Sequence, residues 1–179
     1  MKWVLFLLIF SKSLMAISQY QINILQTVID NSKKQSDYKG DTFPKTMASI
    51  CLKESSAGKK ESRNKYTIAD IDESGKIEHA SLGILQIRVQ TARYVFRKFN
   101  IHKYDKLSDH ELAKLILNDH VLSIDIATKY FIVNINHYHS YFIAISRYNG
   151  GTKNITYVRG VMKNMKIINK LIHNGKLHL

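Results

Sequence analysis

Proline occurs once in the chain, at Pro44, while apolar side chains recur along most of it at the i, i+3, i+4, i+7 spacing of a helix face. That pairing of few helix breakers with a repeated helical period leaves little room for a sheet-based fold. With 45% hydrophobic and 23% charged residues, it predicts a globular, mainly α domain. The 179 residues suffice for one domain with a substantial core.

Residues 20–30, "YQINILQTVID", set Ile22, Leu25 and Ile29 on one stripe and predict a first helix. Pro44 suits the start of a second, since its missing N–H costs nothing in a first turn. On that helix Met47, Ile50 and Cys51 share a face with Glu54. A carboxyl on an apolar face needs a partner or a task. Downstream, "YTIADI" and "KIEHAS" flank the turn-like "DESG" and predict a small β-hairpin over residues 66–81. Ser81 or the turn before it opens a helix through "SLGILQIRVQTARYVFRKF". Ser108 and Glu111 make a capping box, with Leu107 and Leu112 spaced as a hydrophobic staple. "HVLSIDIATKYFIVNI" aligns Val121, Ile124, Ala127 and Phe131, and "HSYFIAISRYNGG" aligns Tyr141, Ile145 and Tyr148 before a glycine pair. The last helix carries Tyr157, Val161, Met165 and Ile168. The expectation is a bundle of about six or seven helices with one β-hairpin excursion.

Residues 1–18 read differently. A basic start at Lys2, an apolar run from Val4 to Phe10 and small or polar residues through Ser18 have the layout of a secretory signal peptide. Cleavage falls at about 16–18, after Ala16 or after Ser18, leaving 19–179 as a single domain and placing it in the periplasm. The apolar run is too short for a transmembrane segment. A lone cysteine rules out an internal disulfide, and its place on the apolar face makes Cys51 a core residue rather than a nucleophile. The net charge of +13 favours a polyanionic partner, and export points to the cell wall rather than nucleic acid.

A carboxyl held among apolar neighbours retains its proton to higher pH, as a general acid for glycosidic cleavage must. A Glu54 turned to solvent or paired with a buried cation fits the same spacing. The eight histidines show no H-x-x-x-H pair and no zinc-type cluster, so no metal site and no cofactor is expected. Asp70, Asp72, Ser74, Gly75 and Ile77 match five positions of a calcium loop, but Ser81 stands where the closing glutamate is required. Nucleophile-elbow and phosphate-loop motifs are absent.

Three segments in order, "ICLKESSAG", "ASLGILQIRVQTA" and "AISRYNGG", resemble the signature blocks of the soluble lytic transglycosylase family, a branch of the goose-type-lysozyme superfamily. The likeness runs over about residues 44–162. "TYVRGV" is similar to the family's segment after the third block. Departures include "IRVQTA" where the family has a proline, and Arg147 and Gly150 in place of alanines. The resemblance implies a lysozyme-like helical fold with a glycan groove and Glu54 as the catalytic residue. It implies substrate-binding roles for Ser55, Gln86, Tyr148 and Asn149, with the Tyr148 hydroxyl able to reach Glu54. Packing alone would instead make Tyr148 the end of a core stripe.

The implied reaction is lytic transglycosylation of peptidoglycan glycan strands, cutting between N-acetylmuramic acid and N-acetylglucosamine and closing a 1,6-anhydro ring. A muramidase using water stays open, with Asp70, Asp72, Glu73 or Glu78 as a second carboxylate, as does a non-catalytic wall-binding scaffold. Family habit adds an envelope-spanning secretion, conjugation or flagellar assembly as a partner.

Overall fold

The computed structural model describes residues 17–58 and 69–179, so most of the expected leader and much of the expected first hairpin arm lie outside the described residues. Among these residues seven α-helices follow in order: α1 Gln19–Ser32, α2 Pro44–Ser55, α3 Val89–Lys98, α4 Asp109–Asn118, α5 His120–Tyr138, α6 Tyr141–Tyr148 and α7 Ile155–His173.

Their boundaries follow from local chemistry. Ser18 accepts from the Gln21 N–H while Gln21 Oε1 takes the Ser18 N–H, a capping box for α1. The same reciprocal pair, Ser108 and Glu111, starts α4. Pro44 occupies the first turn of α2, and Ser56 ends that helix in the left-handed region at φ 55°. Gln21 also donates to the Ser56 carbonyl at 2.7 Å, so the start of α1 holds the end of α2.

The helix α2 packs chiefly against α7 and α1, while α5 packs against α1, α3, α4 and α6. Leu25, Val28 and Ile29 from α1, Met47, Ile50 and Cys51 from α2, Ile124 and Phe131 from α5, and Val161 and Ile168 from α7 lie in one core with no exposed surface. Burying such a side chain is worth about 1.5–3 kcal/mol, so this core carries most of the stability. Val121 departs from the expected stripe: it is 51% exposed, and the buried face of α5 turns instead through Leu122, Ser123 and Ile124. Among the described residues, no helix is long and apolar enough to cross a membrane.

Two further expectations need correction. The helix read from Ser81 starts only at Val89. Before it, Leu82 and Ile87 pair antiparallel through N–H···O bonds of 2.9 and 2.8 Å, closing a tight turn. Gly83 at φ 71° and Gln86 at φ 52° have left-handed backbones that no helix accommodates. Apolar Leu82, Ile84 and Leu85 face the core from every side of this turn, and a fully buried turn mimics a helical stripe. Among the described residues the β-hairpin excursion is likewise not formed. Asp70 and Ser81 make one isolated antiparallel pair, and the second arm winds into a 3-10 turn at Ile77–His79. In the intervening turn Asp72 accepts from the Ser74 N–H at 2.9 Å, so its carboxylate caps its own loop.

Candidate active site

Glu54 sits in the last turn of α2, half-buried, one residue before the helix ends. Met47, Ile50 and Cys51 behind it are fully enclosed. Burial pushes the Cys51 thiol up to about 12, which keeps it protonated and unreactive in the core.

The phenol of Tyr157, from the first turn of α7, donates a hydrogen bond to Glu54 Oε1. Tyr157 is 5% exposed, and burial, then the nearby Glu54 and Tyr148, push its own ionisation well above the usual phenol range. It is therefore a donor at any physiological pH. Its backbone is held by the helix cap: Asn154 Oδ1 accepts from the Tyr157 N–H at 3.0 Å. Asn154 in turn donates from Nδ2 to Asn149 Oδ1 at 2.9 Å, and its own N–H bonds Ser146 Oγ at 2.6 Å. A chain of side chains thus runs from exposed Asn149 through the α7 cap to the acid.

Ser55 and Tyr148 point elsewhere. Ser55 is fully enclosed and donates to the Ile84 carbonyl at 2.8 Å, while accepting from the Gly58 N–H at 3.0 Å. Direct substrate contact is closed to it; its hydroxyl holds the end of α2 against the 82–87 turn. The Tyr148 hydroxyl donates to the next carbonyl, Leu85 O, at 2.8 Å, rather than to Glu54. Burial first, and then the charge of Glu54, raise its ionisation well above the ordinary value. Two hydroxyls from two helices therefore clamp successive carbonyls of one turn. That turn presents Gln86, whose Nε2 donates to Gly83 O at 3.0 Å. Gly83 is needed there: a Cβ would lie 2.9 Å from Ser123 Oγ and 3.2 Å from Ile116 O.

Above the clamp lies an open cleft in two adjoining parts. One, of about 420 Å³, is walled by Glu54, Asp70, Gln86, Arg88, Thr91, Tyr130, Tyr148 and Asn149. The other, of about 330 Å³, is walled by Lys53, Glu54, Asp70, Gln86, Asn149, Asn154, Thr156 and Tyr157. Glu54, Asp70, Gln86 and Asn149 belong to both parts. An extended ligand filling the cleft must pass the carboxyl of Glu54 midway, where a proton can be delivered to a bridging oxygen. Asp70 offers a second carboxylate at the same junction, whereas Asp72, Glu73 and Glu78 line neither part. Among the described residues no group of three or more metal-ligating side chains converges.

The residues predicted from sequence thus divide. Glu54, Gln86, Tyr148 and Asn149 line the cleft, and Ser55 lies beneath it. Tyr157 was missed as a polar group, because its spacing with Val161 and Ile168 is that of a core stripe and its ring does lie in the core. The available signal was its position in "TYVRGV", directly after the glycine-ended third block.

The protein-family model described as the Transglycosylase SLT domain matches residues 31–170. No curated protein and no solved structure matches the chain.

Proposed function

The chain belongs to the soluble lytic transglycosylase family and is a peptidoglycan-cleaving enzyme of that type; from this premise we propose that Glu54 alone runs the reaction as acid and then as base. A glycan strand lies along both parts of the cleft with the bond between N-acetylmuramic acid and N-acetylglucosamine at Glu54. The carboxyl gives its proton to the bridging oxygen, and the carbon–oxygen bond to the muramoyl anomeric carbon breaks. Glu54, now ionised, accepts the proton of the muramoyl 6-hydroxyl as that oxygen bonds to the anomeric carbon. The product is a 1,6-anhydro ring, no water is consumed, and the carboxyl is again protonated. The substrate's 2-acetamido group can shield the developing cation, which is why one enzymatic carboxyl suffices where most glycosidases need two.

In this reading Tyr157 is a positioning residue, since its phenol fixes one oxygen of Glu54 and so the direction in which the acid faces the strand. Gln86 and Asn149 present amides to the sugars, and Ser55 and Tyr148 keep the Gln86 turn in place. The observation that carries the assignment is the position of Glu54: it is the acid shared by both halves of the cleft that also takes the Tyr157 hydrogen bond. The proposal includes export, with a leader that ends at about residues 16–18 and the periplasm as the working compartment.

Asp70 gives the hydrolytic alternative a concrete form, because a carboxylate at the same junction could activate water. Two variants separate the readings in assays of fragment release from purified cell walls. Glu54→Gln abolishes release under either reading, by a factor of about a thousand or more for a lost proton donor and base. Asp70→Asn retains anhydro-ended release under the proposed mechanism. Reducing ends from the wild-type chain, with release lost in Asp70→Asn, would favour hydrolysis.

A further inference from the structure

A third cavity, of about 480 Å³, opens beside the catalytic cleft between α3, α5 and α6, sharing Thr91 and Tyr130 with it as common wall. Its lining is unlike that of the cleft. Tyr94, Tyr130 and Tyr138 supply aromatic walls, Lys98 and Arg147 supply two cations, and among the described residues the lining contains no carboxylate. The Arg147 guanidinium lies 5.9 Å from the Tyr138 ring centre, and Lys98 Nζ lies 5.7 Å from that of Tyr94. Both cations are thus held by ring faces, which attract positive charge but accept no strong hydrogen bond. Arg147 Nε is shut off from solvent and has no hydrogen-bond partner. A buried donor left in that state is costly. The Tyr130 hydroxyl donates to the Arg147 carbonyl at 3.3 Å, tying the shared wall to the residue that carries the charge.

A carboxylate is the group this pocket lacks. Guanidinium and ammonium beside aromatic walls favour an anion with some apolar surface over a neutral sugar. On a peptide-bearing glycan strand the N-acetylated sugars are uncharged, and the carboxylates sit on the peptide stem that branches from muramic acid. We propose that this cavity is a subsite for the carboxylates of the peptide stem, with Arg147 and Lys98 as their charge partners. The inference rests on the glycan-cleaving reading of the neighbouring cleft. Its volume lies in the range of pockets that hold small ligands.

The test needs no cleavage. N-acetyl-L-alanyl-D-glutamic acid, with two free carboxylates, is titrated into the ¹⁵N-labelled chain and backbone amide shifts are followed. The expected result is saturable shifts centred on Thr91, Lys98, Tyr138 and Arg147, and affinity about tenfold weaker for the doubly amidated peptide. The same loss is expected in Lys98→Gln/Arg147→Gln, provided its spectrum is that of a folded chain; the amidated peptide tests the idea without any variant. Absent shifts at these amides, shifts spread over the basic surface, or equal binding of the amidated peptide would each overturn the subsite. A chain that yields anhydro fragments but ignores the peptide keeps its cleavage mechanism and loses this subsite. One that binds the peptide here but releases no fragments keeps the subsite and loses the mechanism.

Discussion

At the scale of single residues, the hydrogen bond from Tyr157 to Glu54 has the clearest consequences. Tyr157→Phe keeps the buried ring and deletes only the donor, so the fold should persist while kcat falls by about tenfold to a hundredfold. A donated hydrogen bond favours the ionised carboxyl. Its removal lets Glu54 hold its proton to higher pH, and the descending limb of the pH–rate profile moves upward. A merely structural effect would lower the rate and leave the profile in place. Cys51 makes a second residue-scale prediction. With its thiol pushed up to about 12 and no exposed surface, it should resist a thiol reagent at pH 8 in the native chain and react fully once the chain is unfolded. Glu54 was legible because a carboxyl breaks an apolar stripe, and Gln86 and Asn149 because they stand in recognisable blocks. Tyr157 was not, because a tyrosine can be a core ring and a polar tip at once, and periodicity reports only the ring.

Among the elements, the turn between Leu82 and Ile87 matters most, and it was the least legible. Its apolar residues are buried on all sides, so neither a helical nor a strand period describes them, and only Gly83 hints at a left-handed backbone. The turn is clamped by Ser55 from α2 and Tyr148 from α6, so the two hydroxyls should act as a unit. Ser55→Ala leaves a buried carbonyl and the Gly58 N–H without their partner, at a cost of about 1–3 kcal/mol measured by denaturant unfolding. Combined with Tyr148→Phe, the losses should be non-additive by about 0.5 kcal/mol or more, because both groups hold the same turn. The helix boundaries set by capping chemistry were far easier to read, as at Ser108 and Glu111. The α1 capping box bears on processing as well. Cleavage after Ser18 removes the cap and releases Gln21, which also holds the α2 terminus, whereas cleavage after Ala16 spares both. Under the proposed export, mass analysis of the mature protein should find Ile17 as its first residue, and a chain starting at Gln19 would contradict this.

For the molecule as a whole, the mainly α class follows from the single proline and the repeated helical period. The arrangement of the site does not, because nothing local says that three segments spread over about a hundred residues meet. The structure supplies the reason for their order. The first block contributes Ser55 and the third Tyr148, and both bond to adjacent carbonyls of the second. The acid beside Ser55 is thereby placed over the turn that carries Gln86, and α7 then brings Tyr157 to the acid from the other side. The basic surface, with a net charge of +13 in the full chain and +11 once Lys2 and Lys12 leave with the leader, suits approach to an anionic wall and should make activity on whole cell walls fall as salt is raised. The central claim is that Glu54 closes an anhydro ring without a water molecule. Mass spectrometry of fragments released from purified peptidoglycan by the wild-type chain tests it most directly, with Glu54→Gln run alongside. The expected fragments are one water lighter than those with reducing ends, and the variant should release none. Fragments with reducing ends alone, or undiminished release by Glu54→Gln, would contradict it.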